Sequence, residues 1–284
     1  MLIVEAPAKI NLTLEVLGIL TDGYHEIRSV IQTLTFFDTL QITPGKEIQF
    51  KGNMPEWSSE RSLVIKAVKL LKEATGCTKG AKIKIKKRIP LISGLGGDSS
   101  DAAAVLHGLN EFWELNIPPN KLRDMAQNLG SDVSFFLTGG TALMAGRGET
   151  ITALPPVPHQ WVILVILDIS RIPGKTKRLY NMLQPSHFTD GKITDKLVAD
   201  LKSRAELSAS LLFNTFENVV FTRGEELTNY RDHLLKLGAP NVHLAGSGPT
   251  LFILLDKKPQ AEELLQRLQD RKMEAYLTET RNCL

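Results

Sequence analysis

Hydrophobic and polar residues alternate along the first fifty positions, which predicts that the chain begins with β-strands. Turn signals at residues 21–23 and 44–45 separate these strands. If residues 9–16 form one strand, the apolar side chains at its even positions share one face. Lys9 and Asn11 then project side by side from the opposite, polar face. Such a face is usually solvated, so the pattern alone gives these two residues no role.

Longer periodic runs predict helices that alternate with further strands. The predicted helices cover residues 61–74, 99–115, 121–129 and 260–271, and the segment ending in KSRAELSASLL is also expected to be helical. The predicted strands are KIKIKKRIP, which has one wet face, WVILVILDI, which is buried throughout, and the two apolar arms of VHLAGSGPTLFILL, which flank a glycine turn. This mixture is typical of an α+β protein.

The proline-rich stretch PPVPH at residues 155–159 is the clearest break in these patterns. A chain of 284 residues is long enough for one large domain or two of medium size. We therefore predict two domains, residues 1–154 and residues 155–284. The sequence contains no internal repeat and no low-complexity tract.

Composition and charge are those of an ordinary soluble globular protein, with 43% hydrophobic and 23% charged residues. The net charge of +3 does not require a nucleic-acid partner. Cys77 and Cys283 are far apart in sequence and provide neither a disulfide framework nor a zinc-binding spacing. The sequence has no apolar run long enough to cross a bilayer and no targeting signal at its start. We therefore expect a cytoplasmic protein.

The stretch GLGGDSS, residues 94–100, lies between a basic strand-like run and a helical run. Its glycines carry no Cβ atom, so the backbone there can approach a ligand closely. The first N–H groups of the following helix have no partner within the helix, and the helix dipole favours a negative charge beside them. Two readings follow from the local pattern alone. The stretch is either a phosphate-binding loop or a glycine turn with a serine cap.

One apparent nucleotide motif is misleading. Residues 173–176 read Pro-Gly-Lys-Thr, like the end of a P-loop, but that motif requires a glycine at the position of Ile169. GLGGDSS does not fit the Rossmann G-x-G-x-x-G pattern either. A phosphate site in this chain therefore belongs to a different class.

Five segments together resemble the GHMP kinases, a superfamily of small-molecule kinases. They are APAKINLTLEVLG, DGYHEIRSV, PLISGLGGDSSDAA, LGSDVSFFL and LAGSGPTLF, in this order along the chain. Within the superfamily, the chain is most similar to kinases that phosphorylate a cytidine-diphospho sugar alcohol in the non-mevalonate route to isoprenoids. The resemblance implies an N-terminal domain like domain 2 of ribosomal protein S5 and a ferredoxin-like C-terminal domain.

The resemblance also implies ATP and Mg²⁺ as cofactors. It assigns the nucleotide to one continuous loop, made of Pro90, Leu91, Ile92, Ser93, Gly94, Leu95, Gly96, Gly97, Asp98, Ser99 and Ser100. The ATP phosphates are expected to hold most of the Mg²⁺ coordination, with Ser99 or Ser100 as candidate contacts from the protein.

Two residues are expected to be catalytic from the resemblance. Family members place the residue corresponding to Lys9 beside the reacting hydroxyl, and the residue corresponding to Asp132 accepts or orients the hydroxyl proton. Phosphoryl transfer needs an oriented hydroxyl and charge neutralisation on the phosphates, which suits this pair. Without the family, Asp132 reads as an acidic residue that stabilises a helix start.

The implied substrate pocket uses residues from both halves of the sequence. The family's pattern places Asn11 on the substrate, Tyr24 against the cytosine ring and His25 at the edge of that ring. Thr176 and Tyr180 correspond to a threonine and an aromatic residue that complete the pocket, so the cytosine is expected between Tyr24 and Tyr180. Surface packing is the ordinary alternative for the adjacent Tyr24 and His25.

The sequence departs from the family's pattern at two positions. Asp98 lies in the loop where relatives carry Gly or Ser, and its carboxylate is expected to repel a triphosphate unless it caps a helix or faces Mg²⁺. Ser62 stands where some relatives have an Asn near adenine. In addition, three lysines at positions 82, 84 and 86 share a strand face that either attracts ATP or is a solvated sheet edge.

Two other functions are alternatives to this one. One is a different GHMP kinase, acting on mevalonate, homoserine or a sugar, although such an enzyme has no need for the segment Asp22–His25. The other is a non-catalytic RNA-binding module of the S5 type, suggested by the lysine-rich strand. A pI of about 8.7 is modest for such a module. The expected partner is therefore a small molecule, with no nucleic acid, membrane or protein partner implied.

Overall fold

The computed structural model describes residues 1–169, 174–223 and 225–282, and these form two compact units. The first unit contains Met1–Ala8, Phe36–Leu91 and Gly96–Gly139; the second contains Lys9–Thr35, Ile92–Leu95 and the described residues from Gly140 onward. Strands β1 (Leu2–Asn11) and β3 (His25–Gly45) each contribute residues to both units. The division after residue 154 stays a prediction.

The first unit combines two short strands with four helices. Its elements are β4 (Ile48–Gly52), α1 (Leu63–Thr75), β5 (Gly80–Lys86), α2 (Gly97–Phe112), α3 (Pro119–Gln127) and α4 (Ser131–Phe136). Strand β5 lies between β4, to which it is parallel, and the second half of β3, to which it is antiparallel. Its lysines at 82, 84 and 86 are exposed on one face. The reading of this face as a sheet edge was therefore wrong, because β5 has a neighbour on each side.

Helices α1 and α2 pack together through complementary faces. The buried stripe of α1 is Val64, Ala67, Val68 and Leu71, and α2 buries a run of small residues that begins at Ser100. Small side chains let the two helices approach closely, and each buried Val or Leu contributes about 1.5–3 kcal/mol relative to exposure. The helical pattern at 61–74 is confirmed, and α1 ends at Gly76 in the left-handed conformation typical of a helix C-terminus.

One sheet of the second unit is built around the first half of β3. Its other strands are β2 (Thr13–Ile19), β6 (Thr141–Gly146), β7 (Thr150–Ala153) and β9 (Phe213–Asn214). β2 and β6 pair antiparallel with β3, β7 pairs antiparallel with β6, and β9 pairs parallel with β2. Residues 9–16 do not form the single strand assumed from the sequence, because a bend at Leu12 separates β1 from β2. The four polar side chains of this stretch are nevertheless buried: Lys9, Asn11, Thr13 and Glu15.

The second sheet of this unit is four-stranded and antiparallel. Its strands are β8 (Trp161–Ile166), β10 (His243–Leu244), β11 (Leu251–Leu255) and β12 (Glu274–Glu279), in the spatial order β10-β11-β8-β12. The helices between β8 and β10 are α5 (Lys175–Met182), α6 (Lys192–Lys202), α7 (Glu217–Arg223) and α8 (Glu225–Lys236). Helix α9 (Lys258–Asp270) follows β11 and packs on the sheet. Helices after the first and third strands give the β-α-β-β-α-β succession of a ferredoxin-like domain.

Three sequence predictions of helix extent were inaccurate. The segment KSRAELSASLL is mostly non-helical, because α6 ends at Lys202 and only a 3₁₀ turn at Ala209–Leu211 follows. Arg204 adopts φ +57°, a left-handed conformation that a continuing helix does not contain. Helix α3 ends at Gln127, two residues before the predicted end, and α2 ends at Phe112, three residues before the predicted end. Among the described residues, no helix combines the length and apolarity needed to cross a membrane.

Candidate functional site

The glycine loop is held by close backbone contacts on one side. Gly94 has φ +86°, and a Cβ atom there would overlap the carbonyl oxygen of Ala245 and crowd the backbone of Gly248. Ser93 accepts a backbone hydrogen bond from Thr250, and Leu95 accepts one from the N–H of Lys9 at 3.0 Å. The loop therefore joins strand β1 to the turn between β10 and β11 within the second unit.

The next residues start helix α2 without a side-chain cap. Gly96 is the N-cap in the left-handed conformation, at φ +76°, and Gly97 is the first helical residue. A Cβ atom on Gly97 would press against Ile89. The first backbone N–H groups of α2 thus lie beside glycines and have no side-chain cap, an arrangement that suits a phosphate. The buried hydroxyl of Ser100 has no hydrogen-bond partner among the described residues.

Asp98 and Ser62, the two departures from the family's pattern, are bonded to each other. The hydroxyl of Ser62 contacts Asp98 Oδ1, and Asp98 Oδ2 accepts a hydrogen bond from the backbone N–H of Leu63 at 3.0 Å. Ser62 Oγ in turn accepts from the N–H of Val64 at 3.3 Å. The Asp98 carboxylate is thus committed to the N-terminus of α1, where the helix dipole stabilises a negative charge.

A buried ion cluster lies behind the start of α2. Lys87 Nζ contacts Asp38 Oδ2 and lies 2.6 Å from Asp101 Oδ2, and all three side chains are buried. Burial by itself lowers the pKa of Lys87, but the charges of Asp101 and Asp38 outweigh it and raise that pKa. Burial raises the pKa of Asp101 well above its ordinary value, against the opposing charge of Lys87. Removing one member would leave a buried charge without compensation.

The cluster of Lys87, Asp38 and Asp101 supports the glycine loop. No sequence motif indicated it. Lys87 Nζ lies 3.4 Å from the position that a Cβ atom on Gly97 would take, and Asp38 accepts the backbone N–H of Ile89 at 2.7 Å. Lys87 is one of several lysines in a basic run, so nothing marked it in the sequence. The one available signal was the alternation of β5, which places odd-numbered positions on its buried face.

Lys9 and Asn11 are buried side by side, as the strand pattern suggested. Lys9 Nζ donates to Asn11 Oδ1 at 2.8 Å, and Asn11 Nδ2 donates to the hydroxyl of Ser29 at 2.8 Å. The exposed fractions are only 6% for Lys9 and 5% for Asn11, which argues against a solvated strand face. Burying an ammonium group destabilises the folded state unless a hydrogen bond or an opposite charge compensates it.

Asp132 lies in the first turn of α4, after Gly130 at φ +151°. Its side chain is half-buried, whereas the following four residues, Val133 to Phe136, are all buried. This position fits the helix-start reading as well as the catalytic one. Asp132 belongs to the first unit and Lys9 to the second, so their pairing in catalysis stays a prediction.

The third glycine-rich segment lies against Lys9 in the second unit. A Cβ atom on Gly246 would lie 3.1 Å from Lys9 Nζ and 3.4 Å from Asn11 Oδ1. Asn214 holds this turn, because its Nδ2 donates to the carbonyl oxygens of Leu244 and Gly246. No sequence motif marks Asn214, which comes from the short strand β9.

His25 and Tyr180 are in ring contact within the second unit. Their ring centroids are 4.7 Å apart, and Tyr180 also contacts Phe216 edge-on. Burial lowers the pKa of His25, which favours the neutral imidazole, a form that can both donate and accept a hydrogen bond. Thr176 lies one turn before Tyr180 on α5, and its hydroxyl bonds to Ser247 at 2.8 Å.

The side chain of Tyr24 is exposed, at 62%. The guanidinium carbon of Arg147 lies 4.9 Å from the centre of the Tyr24 ring, a cation–π geometry. Arg147 also forms an ion pair with Asp22. No sequence motif marks Arg147, which lies in the turn between β6 and β7, far from the DGYH segment in sequence. The stacking roles of Tyr24 and Tyr180 stay predictions.

Comparison with known proteins supports the family suggested by the motifs. Residues 62–140 match the model of the GHMP kinases N terminal domain, and residues 196–275 match that of the GHMP kinases C terminal domain. The 4-diphosphocytidyl-2-C-methyl-D-erythritol kinase of Dehalococcoides mccartyi is 48% identical over 99% of this chain and 98% of its own length.

Solved structures agree. A crystal structure of 4-(cytidine 5'-diphospho)-2C-methyl-D-erythritol kinase has 29% identity and a TM-score of 0.84, and the match covers 98% of this chain and 99% of that one. The mevalonate kinase of L. major shares the fold, with 17% identity, a TM-score of 0.72 and coverage of 99% and 96%. The predicted α+β fold and the GHMP resemblance are thereby confirmed. The chain belongs to the GHMP kinases and, among them, to the family of 4-diphosphocytidyl-2-C-methyl-D-erythritol kinases.

Proposed function

We propose that this kinase transfers the γ-phosphoryl group of ATP to the 2-hydroxyl group of 4-diphosphocytidyl-2-C-methyl-D-erythritol, giving the 2-phosphate and ADP in the non-mevalonate route to isoprenoid precursors. The observation that supports this substrate is the 48% identity with a 4-diphosphocytidyl-2-C-methyl-D-erythritol kinase over nearly the full length of both chains. The structurally similar mevalonate and homoserine kinases are only 14–17% identical, so they support the fold alone.

The nucleotide site in this proposal is the loop from Pro90 to Ser100. Gly94 and Gly96 have positive φ angles, and the uncapped start of α2 offers backbone N–H groups to the phosphates. Asp98 does not oppose this role, because its carboxylate is bonded at the start of α1. The proposed nucleotide domain is residues 1–154, followed by a second domain at 155–284.

Mg²⁺ is part of the proposal as an ion held mainly by the ATP phosphates. The residues present fit this arrangement, because the buried Ser100 hydroxyl has no partner among the described residues and oxygen is the ligand that Mg²⁺ prefers. Ser99, on the same helical turn, is the second candidate. When bound, the ion supplies charge neutralisation on the phosphates.

Lys9 and Asp132 carry the proposed chemistry. The substrate hydroxyl gives its proton to the Asp132 carboxylate while its oxygen forms a bond to the γ-phosphorus, and the bond from that phosphorus to the β–γ bridging oxygen breaks. Lys9 stabilises the negative charge that develops. The hydrogen bond from Lys9 to Asn11 fixes the ammonium group, and Asn11 contributes to substrate binding.

The proposed cytidine pocket uses Tyr24, His25, Thr176 and Tyr180. A neutral His25 can donate to and accept from the edge of cytosine, and aromatic rings stack well on a flat base. In this reading the cytosine enters where Tyr24 and Tyr180 offer ring faces. No nucleic acid, membrane or protein partner enters the proposal, and the proposed location is the cytoplasm.

The deciding experiment is a phosphoryl-transfer assay with ATP and three acceptors: the cytidyl substrate, mevalonate and homoserine. We expect ADP release and a new phosphate ester with the cytidyl substrate alone. Faster transfer to mevalonate or homoserine would move the chain to another branch of the GHMP kinases. Absence of transfer to every acceptor, in a protein that binds RNA, would favour the non-catalytic S5-like module.

A further inference from the structure

Lys175 is a cationic side chain of the second unit that neither the motifs nor the resemblance assigns. It is the first residue of α5, the helix that also carries Thr176 and Tyr180. Its side chain is half-buried, and no described residue offers its ammonium group a carboxylate or a hydrogen bond. Burial lowers its pKa from 10.5 to about 8. A lysine placed in this way is destabilised unless an anion joins it.

The ammonium group of Lys175 lies over the glycine-rich turn between β10 and β11. It is 3.3 Å from the position that a Cβ atom on Gly248 would occupy. Lys9 Nζ lies 3.1 Å from the corresponding position on Gly246, two residues earlier in the same turn. The two lysines therefore lie beside Gly246 and Gly248, two residues of one short turn that carry no side chain. Ser247, between the two glycines, has its hydroxyl hydrogen-bonded to Thr176 at 2.8 Å.

The position of Lys175 relative to Tyr180 indicates what the anion is. They are five positions apart on α5, or about 7.5 Å along the helix axis, which is comparable to the distance from a base across its ribose to the phosphates. A substrate that extends from a cytosine at Tyr180 to a reacting hydroxyl at Lys9 therefore has its diphosphate near Lys175. Lysine suits phosphate as a compact point charge, and hydroxyls such as those of Thr176 and Ser247 can add hydrogen bonds.

We propose that Lys175 forms a phosphate subsite that binds the diphosphate of the cytidyl substrate, with the Thr176–Ser247 hydroxyl pair beside it. This inference rests on the proposed function, because it takes the cytidyl substrate as given. It adds a residue that binds the substrate through its charge and takes no part in the proton transfer. The γ-phosphate of ATP is the other phosphate that such a lysine could hold, and the test separates the two.

The test measures the binding of cytidine diphosphate and of cytidine by calorimetric titration. The proteins are the wild type, Lys175→Met, Lys175→Arg and Lys177→Met. Lys177 is the matched control, since it is an exposed lysine on the same helix. We expect Lys175→Met to weaken cytidine diphosphate at least tenfold and to leave cytidine within twofold. Lys175→Arg should retain part of the affinity, and Lys177→Met should match the wild type for both ligands.

Steady-state kinetics distinguish the two phosphates. If Lys175 holds the substrate diphosphate, Lys175→Met raises KM for the cytidyl substrate at least tenfold and leaves KM for ATP and kcat within about twofold. An increase in KM for ATP alone would overturn the proposal in favour of the γ-phosphate. Equal losses of cytidine and cytidine diphosphate would overturn it as well, because a phosphate contact cannot account for a loss of cytidine binding.

Thermal unfolding tests whether the Lys175→Met variant is as stably folded as the wild type. Methionine removes a half-buried charge, so Lys175→Met should unfold at the same temperature as the wild type or higher. The proposed function and the subsite fail separately. A wild type that phosphorylates the cytidyl substrate, with a Lys175→Met variant of unchanged affinity, refutes the subsite alone. A wild type that binds neither cytidine diphosphate nor cytidine refutes the proposed function, and the subsite with it.

Discussion

Ser62 and Asp98 are joined by a hydrogen bond, although they are the two positions at which the chain departs from its family's pattern. Asp98 also accepts the backbone N–H of Leu63, so one carboxylate serves the start of α1 while belonging to the first turn of α2. Each departure therefore accounts for the other. The serine supplies a donor that the carboxylate needs, and the carboxylate completes a helix start at which the serine is the N-cap.

Replacing Asp98 should therefore affect stability. We expect Asp98→Ala to lower the free energy of unfolding by about 1–2 kcal/mol, the usual cost of losing a side-chain cap at a helix start. Urea unfolding of the wild type, both single variants and Ser62→Ala/Asp98→Ala measures the coupling, which should exceed about 0.5 kcal/mol. An Asp98→Ala variant of unchanged stability but altered KM for ATP would place this carboxylate in the nucleotide site instead.

Asp132 offers a test of the proposed chemistry. Asp132→Asn keeps the shape and the hydrogen-bonding capacity of a helix-start residue but removes the proton acceptor. We expect kcat to fall at least about 100-fold, within the range for a lost general base, while the unfolding midpoint in urea and the affinity for an ATP analogue are retained. If turnover stays near that of the wild type, Asp132 is a helix-start residue only.

The glycine loop can be tested against a matched glycine. Gly96 and Gly76 both adopt left-handed conformations next to a helix, and a Cβ atom on Gly76 would have nothing within 4 Å, so a substitution there measures the cost of the positive φ alone. Valine at either position should cost about 1–2 kcal/mol of stability from the positive φ. Only Gly96→Val should weaken ATP-analogue binding more than substrate binding, as separate titrations would measure. Equal weakening of both ligands would make Gly96 a structural turn.

The cytidine pocket should be visible in substrate selectivity. Loss of a stacked aromatic ring costs about 1–3 kcal/mol per base, so Tyr24→Ala should raise KM for the cytidyl substrate about tenfold or more, whereas Tyr24→Phe retains the ring. His25→Ala should reduce the discrimination between cytidine and uridine forms, since the edge contact is lost. Kinetics with saturating ATP on both forms measure this. Equal rates with free methylerythritol would argue against any cytosine pocket.

The lowered pKa of Lys175 predicts a pH dependence with a definite sign. Only the protonated lysine binds phosphate, so affinity for cytidine diphosphate should be highest below pH 8 and fall about tenfold between pH 7 and pH 9. Titrations across that range on wild type and Lys175→Met would show it as a slope that the variant lacks. Burial lowers the pKa of His25 and so moves its titration away from that range, and Lys9, Lys177 and Arg178 are present in both proteins. Parallel slopes in the two proteins would contradict the prediction.

The sequence predicted local structure better than long-range partners. The patterns at 61–74 and 82–90 gave α1 and β5, because burial along one element repeats with its own period. Strand alternation also put Lys9 and Asn11 on the same face, where they are bonded. The Lys87 cluster could not be predicted in this way. Asp38 is far from Lys87 in sequence, and nothing in either segment specifies that they meet.

The predicted site shows the same limit. The motifs selected His25 and Tyr180 separately, but their ring contact depends on how α5 returns to β3. Arg147 and Asn214 have no motif, because Arg147 contributes a charge near Tyr24 and Asp22, and Asn214 contributes hydrogen bonds to and from backbone atoms. Side chains that act on backbone atoms leave little trace in a single sequence.

The contact of Gly94 with Ala245 and Gly248 has a consequence for how the gene can change. The two segments touch through backbone atoms, with no space for even a methyl group at position 94. A substitution there cannot be rescued by trimming a neighbouring side chain, since the obstacle is a carbonyl oxygen. We therefore expect suppressor mutations of Gly94→Ala to be rare in a genetic selection, and those found to shift the main chain of residues 245–248.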